Sequence, residues 1–148
     1  MHAKRIALVI ALFSGPVMAQ TMAQQANHKT WQDQMDGQLS FTNKACGTSI
    51  TGPISYASFD AIPDVASKIP VGQACSEAAT GITNLCNGPA TYKAAIQKGI
   101  QKVVCTYGGP GKRAVSISGG TLTYAIDFPG KYDTDGTHFV QYYIANHL

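Results

Sequence analysis

The sequence predicts an α+β domain: about four helices packed against an antiparallel three-stranded meander, stapled by two disulfides. Three observations carry that expectation. Apolar residues recur at helical spacing through most of the chain up to Gly99. Two-residue alternation replaces that period after Val103. Four cysteines, an even number, all follow an export-like leader. At 148 residues, 45% apolar and 13% charged, the chain fits one globular domain and not a disordered segment.

The leader has three parts. His2, Lys4 and Arg5 make a basic start, Ile6 to Phe13 is an unbroken apolar run, and Ser14-Gly15-Pro16 breaks any helix. Val17-Met18-Ala19 then offers small or medium residues to a signal peptidase. Residues 1–19 therefore read as a secretory signal cut after Ala19, with Ala23 as the second choice. Residues 20–29, rich in Gln and Ala, read as a flexible tail, and 30–148 as the single disulfide-stabilised domain. After the leader no stretch approaches the ~18 apolar residues that cross a bilayer, so no membrane span is expected in the mature chain. The expected location is periplasmic or extracellular.

Cleavage also changes the charge argument. The whole chain carries +3, but without Lys4 and Arg5 nine basic residues face eight acidic ones, a net of +1. Nucleic-acid binding needs clustered cations on one face, and Lys112-Arg113 is the only adjacent basic pair left. That function class is disfavoured.

Cys46, Cys75, Cys86 and Cys105 lie in no CxxC arrangement, so disulfides suit them better than zinc or redox chemistry. Ala74, Cys75, Ala78, Ala79, Ile82, Leu85 and Cys86 have helical spacing. Two cysteines 11 apart on a helix stand ~16 Å apart along its axis. A disulfide needs Cα atoms within ~7 Å, which removes Cys75–Cys86. Loop length favours Cys46–Cys75 with Cys86–Cys105 over the crossed Cys46–Cys86 with Cys75–Cys105.

The elements follow in order. Thr30 and Asp33 signal a helix start, and Trp31, Met35 and Leu39 recur every four residues, giving a helix over ~30–43 with Trp31 as a core anchor. Residues 47–73 carry Pro53, Pro63 and Pro70 and promise no long regular element. Ile54–Phe59 is the candidate fourth, edge strand, and Pro63 to Ser67 a helical turn. A helix at 74–86 stops at Asn87-Gly88, and Pro89 opens another. Val103, Val104, Cys105 and Tyr107 start the sheet, and Gly108-Gly109-Pro110-Gly111 reads as a hairpin turn. Val115 and Ile117 then alternate with Ser116 and Ser118, and Gly119-Gly120 is a two-residue hairpin signal. Leu122, Tyr124, Ile126 and Phe128 form the clearest strand, apolar face inward. Thr134 or Asp135 caps a last helix carrying Phe139, Tyr142, Tyr143 and Leu148; of the two adjacent tyrosines only one can face inward.

Chemistry-bearing motifs are sparse. The glycine-rich run at 108–113 lacks the Lys-Ser/Thr and following helix of a phosphate loop, because Arg113 and a strand come next. It reads as a hairpin tip with two solvated cations. Asp133-Thr134-Asp135-Gly136 holds part of a calcium-loop pattern, but Lys131 and Gln141 stand where ligands belong, so no metal and no cofactor are expected. His28 falls in the tail and His147 near the C-terminus, leaving His138, beside Asp133 and Asp135, as the one general-base candidate. Ser116, Ser118 or Thr123 would have to serve as its nucleophile, and no GxSxG elbow presents a serine. The leading expectation is therefore a small exported protein that binds without chemistry, as an inhibitor, immunity-type or accessory protein does. Its partner would be a protein or a glycan. Tyr107, Lys112, Arg113 and Tyr132 mark two binding loops, 107–113 and 129–137, expected at opposite ends of the hairpins. A small extracytoplasmic hydrolase using His138 with an aspartate partner is the alternative.

Overall fold

The computed structural model describes residues 21–127 and 135–148. Among them are six helices and one three-stranded sheet: α1 Met22–Cys46, α2 Tyr56–Asp60, α3 Pro63–Ala66, α4 Val71–Cys86, α5 Ala90–Gly99, β1 Lys102–Tyr107, β2 Ala114–Ser118, β3 Thr121–Ile126 and α6 Gly136–His147. The α+β class holds. The leader, Phe128, Tyr132 and Asp133 lie outside the described residues.

Helix α1 starts earlier than expected. Thr21 caps it, accepting from the Gln24 amide while the Gln24 side chain accepts from the Thr21 N–H. This is a capping box, a motif legible in Thr21-Met-Ala-Gln24 itself. The presumed tail at 22–29 is thus helix. Thr30 does not cap; its hydroxyl donates to the Ala26 carbonyl inside the helix. The buried stripe runs His28, Trp31, Met35, Leu39, Thr42, Cys46, the spacing of one helix face.

That stripe lies on α4. The Cα and O atoms of Trp31 sit where a Cβ on Gly72 would be only 2.6 and 2.8 Å away. Further along, the Thr42 hydroxyl reaches the Ala79 carbonyl at 3.0 Å and the Thr83 hydroxyl at 2.8 Å, and Cys46 meets Cys86. The two helices therefore run parallel. Their C-termini come together, and the chain between them must return to the start of α4 through residues 47–70. Cys75 sits three turns from Cys86 and faces the sheet instead, where it bonds Cys105.

The bridges are accordingly Cys46–Cys86, with Cα atoms 5.1 Å apart, and Cys75–Cys105, at 5.5 Å. This is the crossed pairing and corrects the favoured Cys46–Cys75 and Cys86–Cys105. Loop length gave the wrong answer because parallel packing carries Cys46 to the far end of α4, away from Cys75.

The sheet is mixed, in the order β1-β3-β2, and no fourth strand is present among the described residues. β3 pairs antiparallel with β2 but parallel with β1, in register Val103–Leu122 and Cys105–Tyr124. The antiparallel meander is corrected on this point. The run at 108–113 is no hairpin: it steps over one strand position, leaving the central slot to β3. β3 has the sheet's most buried inner face, with Leu122, Tyr124 and Ile126 all at 2% exposure or less, so it gains most from neighbours on both sides. Gly109 and Gly111 take φ values of 102° and 64° in that step, open to glycine at little cost. The Gly119-Gly120 turn forms as expected, with φ 55° and 77°.

The inner face of the sheet, with Val103, Cys105, Val115, Leu122, Tyr124 and Ile126, packs on α4, and Val140 and Ile144 of α6 complete the core. Tyr143 packs against this core while Tyr142 is exposed, as the adjacency of the two requires. The sheet's other face, with Ser116, Ser118 and Lys102, meets solvent.

Residues 51–55 run beside β1. Thr51 and Ile54 bridge it in parallel through bonds such as Val103 N to Thr51 O at 2.8 Å, and Ser55 N to Cys105 O at 2.8 Å. Of the expected edge strand at 54–59 only Ile54 and the Ser55 amide take part, because Tyr56 begins α2. The outer side of this segment is sealed by two amides of α1. Asn43 accepts from Ile50 N and donates to Ile50 O; Gln32 accepts from Ile54 N and donates to Gly52 O. Pro53 lies between them and has no N–H to offer.

Candidate functional site

Parallel β1 and β3 end on the same side of the molecule, and β2 begins there. The loops leaving Tyr107 and Ile126 therefore emerge together, which corrects their placement at opposite ends. The Gly108 amide donates to the Ile126 carbonyl at 2.8 Å. Arg113 Nε donates to Asp127 Oδ1 at 3.0 Å, with both side chains mostly buried. The Arg113 guanidinium also lies 5.8 Å from the centre of the Phe139 ring on α6, within cation–π range. Arg113 is thus a structural tie between β2, β3 and α6, not a solvated cation at a loop tip. Lys112 beside it is exposed.

Under this end lies a polar core group. Tyr124 Oη donates to Glu77 Oε2 of α4 at 3.5 Å, and Gly136 opens α6 directly over the two groups, leaving no room for a Cβ. Burial above all, then the Glu77 carboxylate and Asp127, push the Tyr124 hydroxyl far above the usual tyrosine range, with Arg113 opposing. Tyr124 is therefore a neutral donor throughout the physiological range.

His138 does meet an aspartate: its Nδ1 lies 3.0 Å from Asp135 Oδ1. That bond replaces the expected cap, since Asp135 stands at the N-cap of α6 without capping an amide. The pair is 79% and 60% exposed, a setting open to solvent screening and not a desolvated catalytic pocket. Ser116, Ser118 and Thr123 occupy the solvent face of the sheet, whereas α6 packs towards its inner face, so the structure does not bring those hydroxyls to His138. Among the described residues no three His, Cys, Asp or Glu side chains gather as a metal cage.

The most enclosed histidine is His28. It is 7% exposed and its Nε2 donates to Asp60 Oδ1 at 2.8 Å, joining α1 to α2. Its ring stacks on Tyr56 at 4.2 Å and 12°, and Trp31, Phe59 and then Tyr107 continue the aromatic chain at ring separations of 5.5, 5.9 and 6.3 Å. Tyr107 is consequently anchored by the core on one side and reaches the loop end on the other. Tyr56 donates to Gln32 at 3.0 Å, and burial, then Asp36 and Asp33, raise its hydroxyl above the ordinary range. Placing His28 in a tail concealed this pair. The usable signal was its position three residues before Trp31, on the same helix stripe.

Several concavities border α1. A pocket of about 60 Å³ lies among Gln24, Asn27, His28, Trp31, Asp60 and Ser67, room for a water-sized group. A broad, open groove of about 600 Å³ runs between α1 and residues 48–52, lined by Asp36, Ser40, Asn43, Thr48 and Ser49.

No family model matches this chain, no curated protein is similar to it in sequence, and no solved structure matches its fold.

Proposed function

We propose that the mature chain is a small exported protein that acts by binding a partner, through the end of the sheet where the loops after β1 and β3 converge. One observation carries this reading: Tyr107, Lys112, Arg113 and Asp127, at the ends of three strands, share one end of the sheet with Asp135, His138 and Phe139 at the start of α6. Loops that vary freely on a fixed scaffold are where recognition is built. Here an exposed cation, an exposed His–Asp pair and a partly exposed Phe139 ring edge surround a buried ion pair that fixes their spacing. Such a mix of aromatic anchor and polar rim suits a protein surface.

Export is the second part of the proposal. All four cysteines are bridged, which suits an oxidising compartment, and no helix among the described residues is long and apolar enough to cross a membrane. The leader at 1–19 supplies the route.

The test is affinity capture of the mature, oxidised protein from the extracytoplasmic fraction of its own host, compared with Lys112→Glu and His138→Ala. Both side chains are exposed, so neither change should unfold the domain. One stoichiometric protein that is lost with Lys112→Glu supports the reading. Capture unaffected by either variant moves the binding site elsewhere. The alternative, a small hydrolase, rests on the 3.0 Å His138–Asp135 pair; turnover abolished by His138→Ala with binding intact would establish it instead.

A further inference from the structure

The two edges of the sheet are treated differently. On the β1 side, residues 50–54 cover the strand, and Gln32, Asn43 and Pro53 occupy or remove the backbone groups that would pair onward. That is how soluble proteins blunt an edge. On the β2 side there is no such device among the described residues. Ala114-Val115-Ser116-Ile117-Ser118 contains no charge, no proline and no bulge.

The hairpin sets which groups face out. A two-residue turn with positive φ at both glycines makes Ser118–Thr121 a hydrogen-bonded pair, and alternation does the same for Ser116–Thr123 and Ala114–Ala125. Val115 and Ile117 therefore turn their N–H and C=O groups away from β3. Among the described residues nothing bonds to those four groups.

We propose that β2 is the seam of a homodimer, in which a second copy adds its own β2 antiparallel about a two-fold axis at Ser116. This register is self-complementary, as an isologous interface must be. Val115 faces Ile117 of the second copy and Ile117 faces Val115, and both outward residues of each strand make a hydrogen-bonded pair. Ile117, half-buried in the single chain, gains an apolar neighbour. Ser116 meets Ser116 on the solvent face, and Ala114 meets Ser118. Arg113 and Lys112 fall opposite Gly119 and Gly120, so no like charges oppose each other across the seam. The net charge of +1 after the leader adds little long-range repulsion. Two three-stranded sheets become one of six strands.

A seam of one short strand buries less than the ~1,200 Å² of an ordinary stable interface, so the dimer is a weak one, with a dissociation constant in the range of about 10 µM to 1 mM. Sedimentation velocity on the mature, oxidised chain over that range should show the mass rising from one chain to two. Ser116→Lys places two ammonium groups face to face on an exposed position and should weaken association about tenfold while leaving the thermal midpoint unchanged. Ser116→Glu should do the same, and an equal mixture of the two variants should restore dimer. A chain that stays single at about 1 mM overturns the proposal. So does a dimer indifferent to Lys at 116, or a mixture that fails to recover.

Discussion

Tyr124 keeps its proton because its hydroxyl is buried against Glu77, and that gives stability a slope at high pH. Its pKa in the fold is raised above the unfolded value of 10.0, so the native state holds a proton that the unfolded chain releases. The contribution is fully present below pH 10 and is lost as pH climbs beyond it. Tyr56, raised for the same first reason, adds to the slope. Urea unfolding at pH 8 and pH 11 should show a loss for the natural chain that Tyr124→Phe reduces; equal losses in both would discount the buried hydroxyl. At pH 8 the same change should cost no more than about 1 kcal/mol, since the bond removed is long. His28 has the larger structural stake. His28→Ala opens a space between Tyr56, Trp31 and Asp60 and leaves a carboxylate without its donor. A loss of about 2–4 kcal/mol is expected. In a double-mutant cycle with Asp60→Ala, full additivity would deny the pair any coupling.

The helix α1–α4 contact makes two glycines behave in opposite ways. Gly72 has the Trp31 backbone where its Cβ would go, so Gly72→Ala must push the helices apart and should cost about 1–3 kcal/mol. Gly37, exposed on α1 with nothing within 4 Å, should gain about 0.5–1 kcal/mol as Ala by helix propensity alone. Thermal melts of the two variants decide this, and shifts of the same sign would contradict the packing described. At this scale the sequence was most readable where one local rule governs. The stripe of Trp31, Met35 and Leu39, the Gly119-Gly120 turn and the inward set Leu122, Tyr124 and Ile126 each follow from spacing. The start of α1 was equally legible in Thr21 and Gln24, but the polar residues around His28 hid it. What spacing cannot carry is which strand sits in the middle. β1 and β3 are separated by a whole strand in sequence, and their parallel pairing depends on burial of β3 from both sides. The meeting of Arg113 with Asp127 comes from the β2–β3 hairpin register alone. An up-down-up meander would also bring the loops after β1 and β3 to one end, so the error about where they lie came from strand direction and not from strand order.

For the whole molecule, the connectivity of the bridges is the feature that sequence spacing alone could not fix, because it reports the direction of α4 relative to α1. Peptide mapping under non-reducing conditions should recover Cys46 joined to Cys86 and Cys75 joined to Cys105. Recovery of Cys46 with Cys75 would reverse the parallel helix pair. Opening either bridge by paired Cys→Ala substitution should lower stability by about 3–4 kcal/mol for loops of this size. The covalent loops, spanning separations of 40 and 30 residues, overlap along most of α4. Because they overlap, every peptide bond from Cys46 to Cys105 is spanned by at least one bridge. A protease that nicks the chain once anywhere in that stretch releases no fragment; side-by-side loops would leave the bonds between Cys75 and Cys86 unguarded. In surroundings rich in proteases, damage to this protein would stay silent until a reductant arrived.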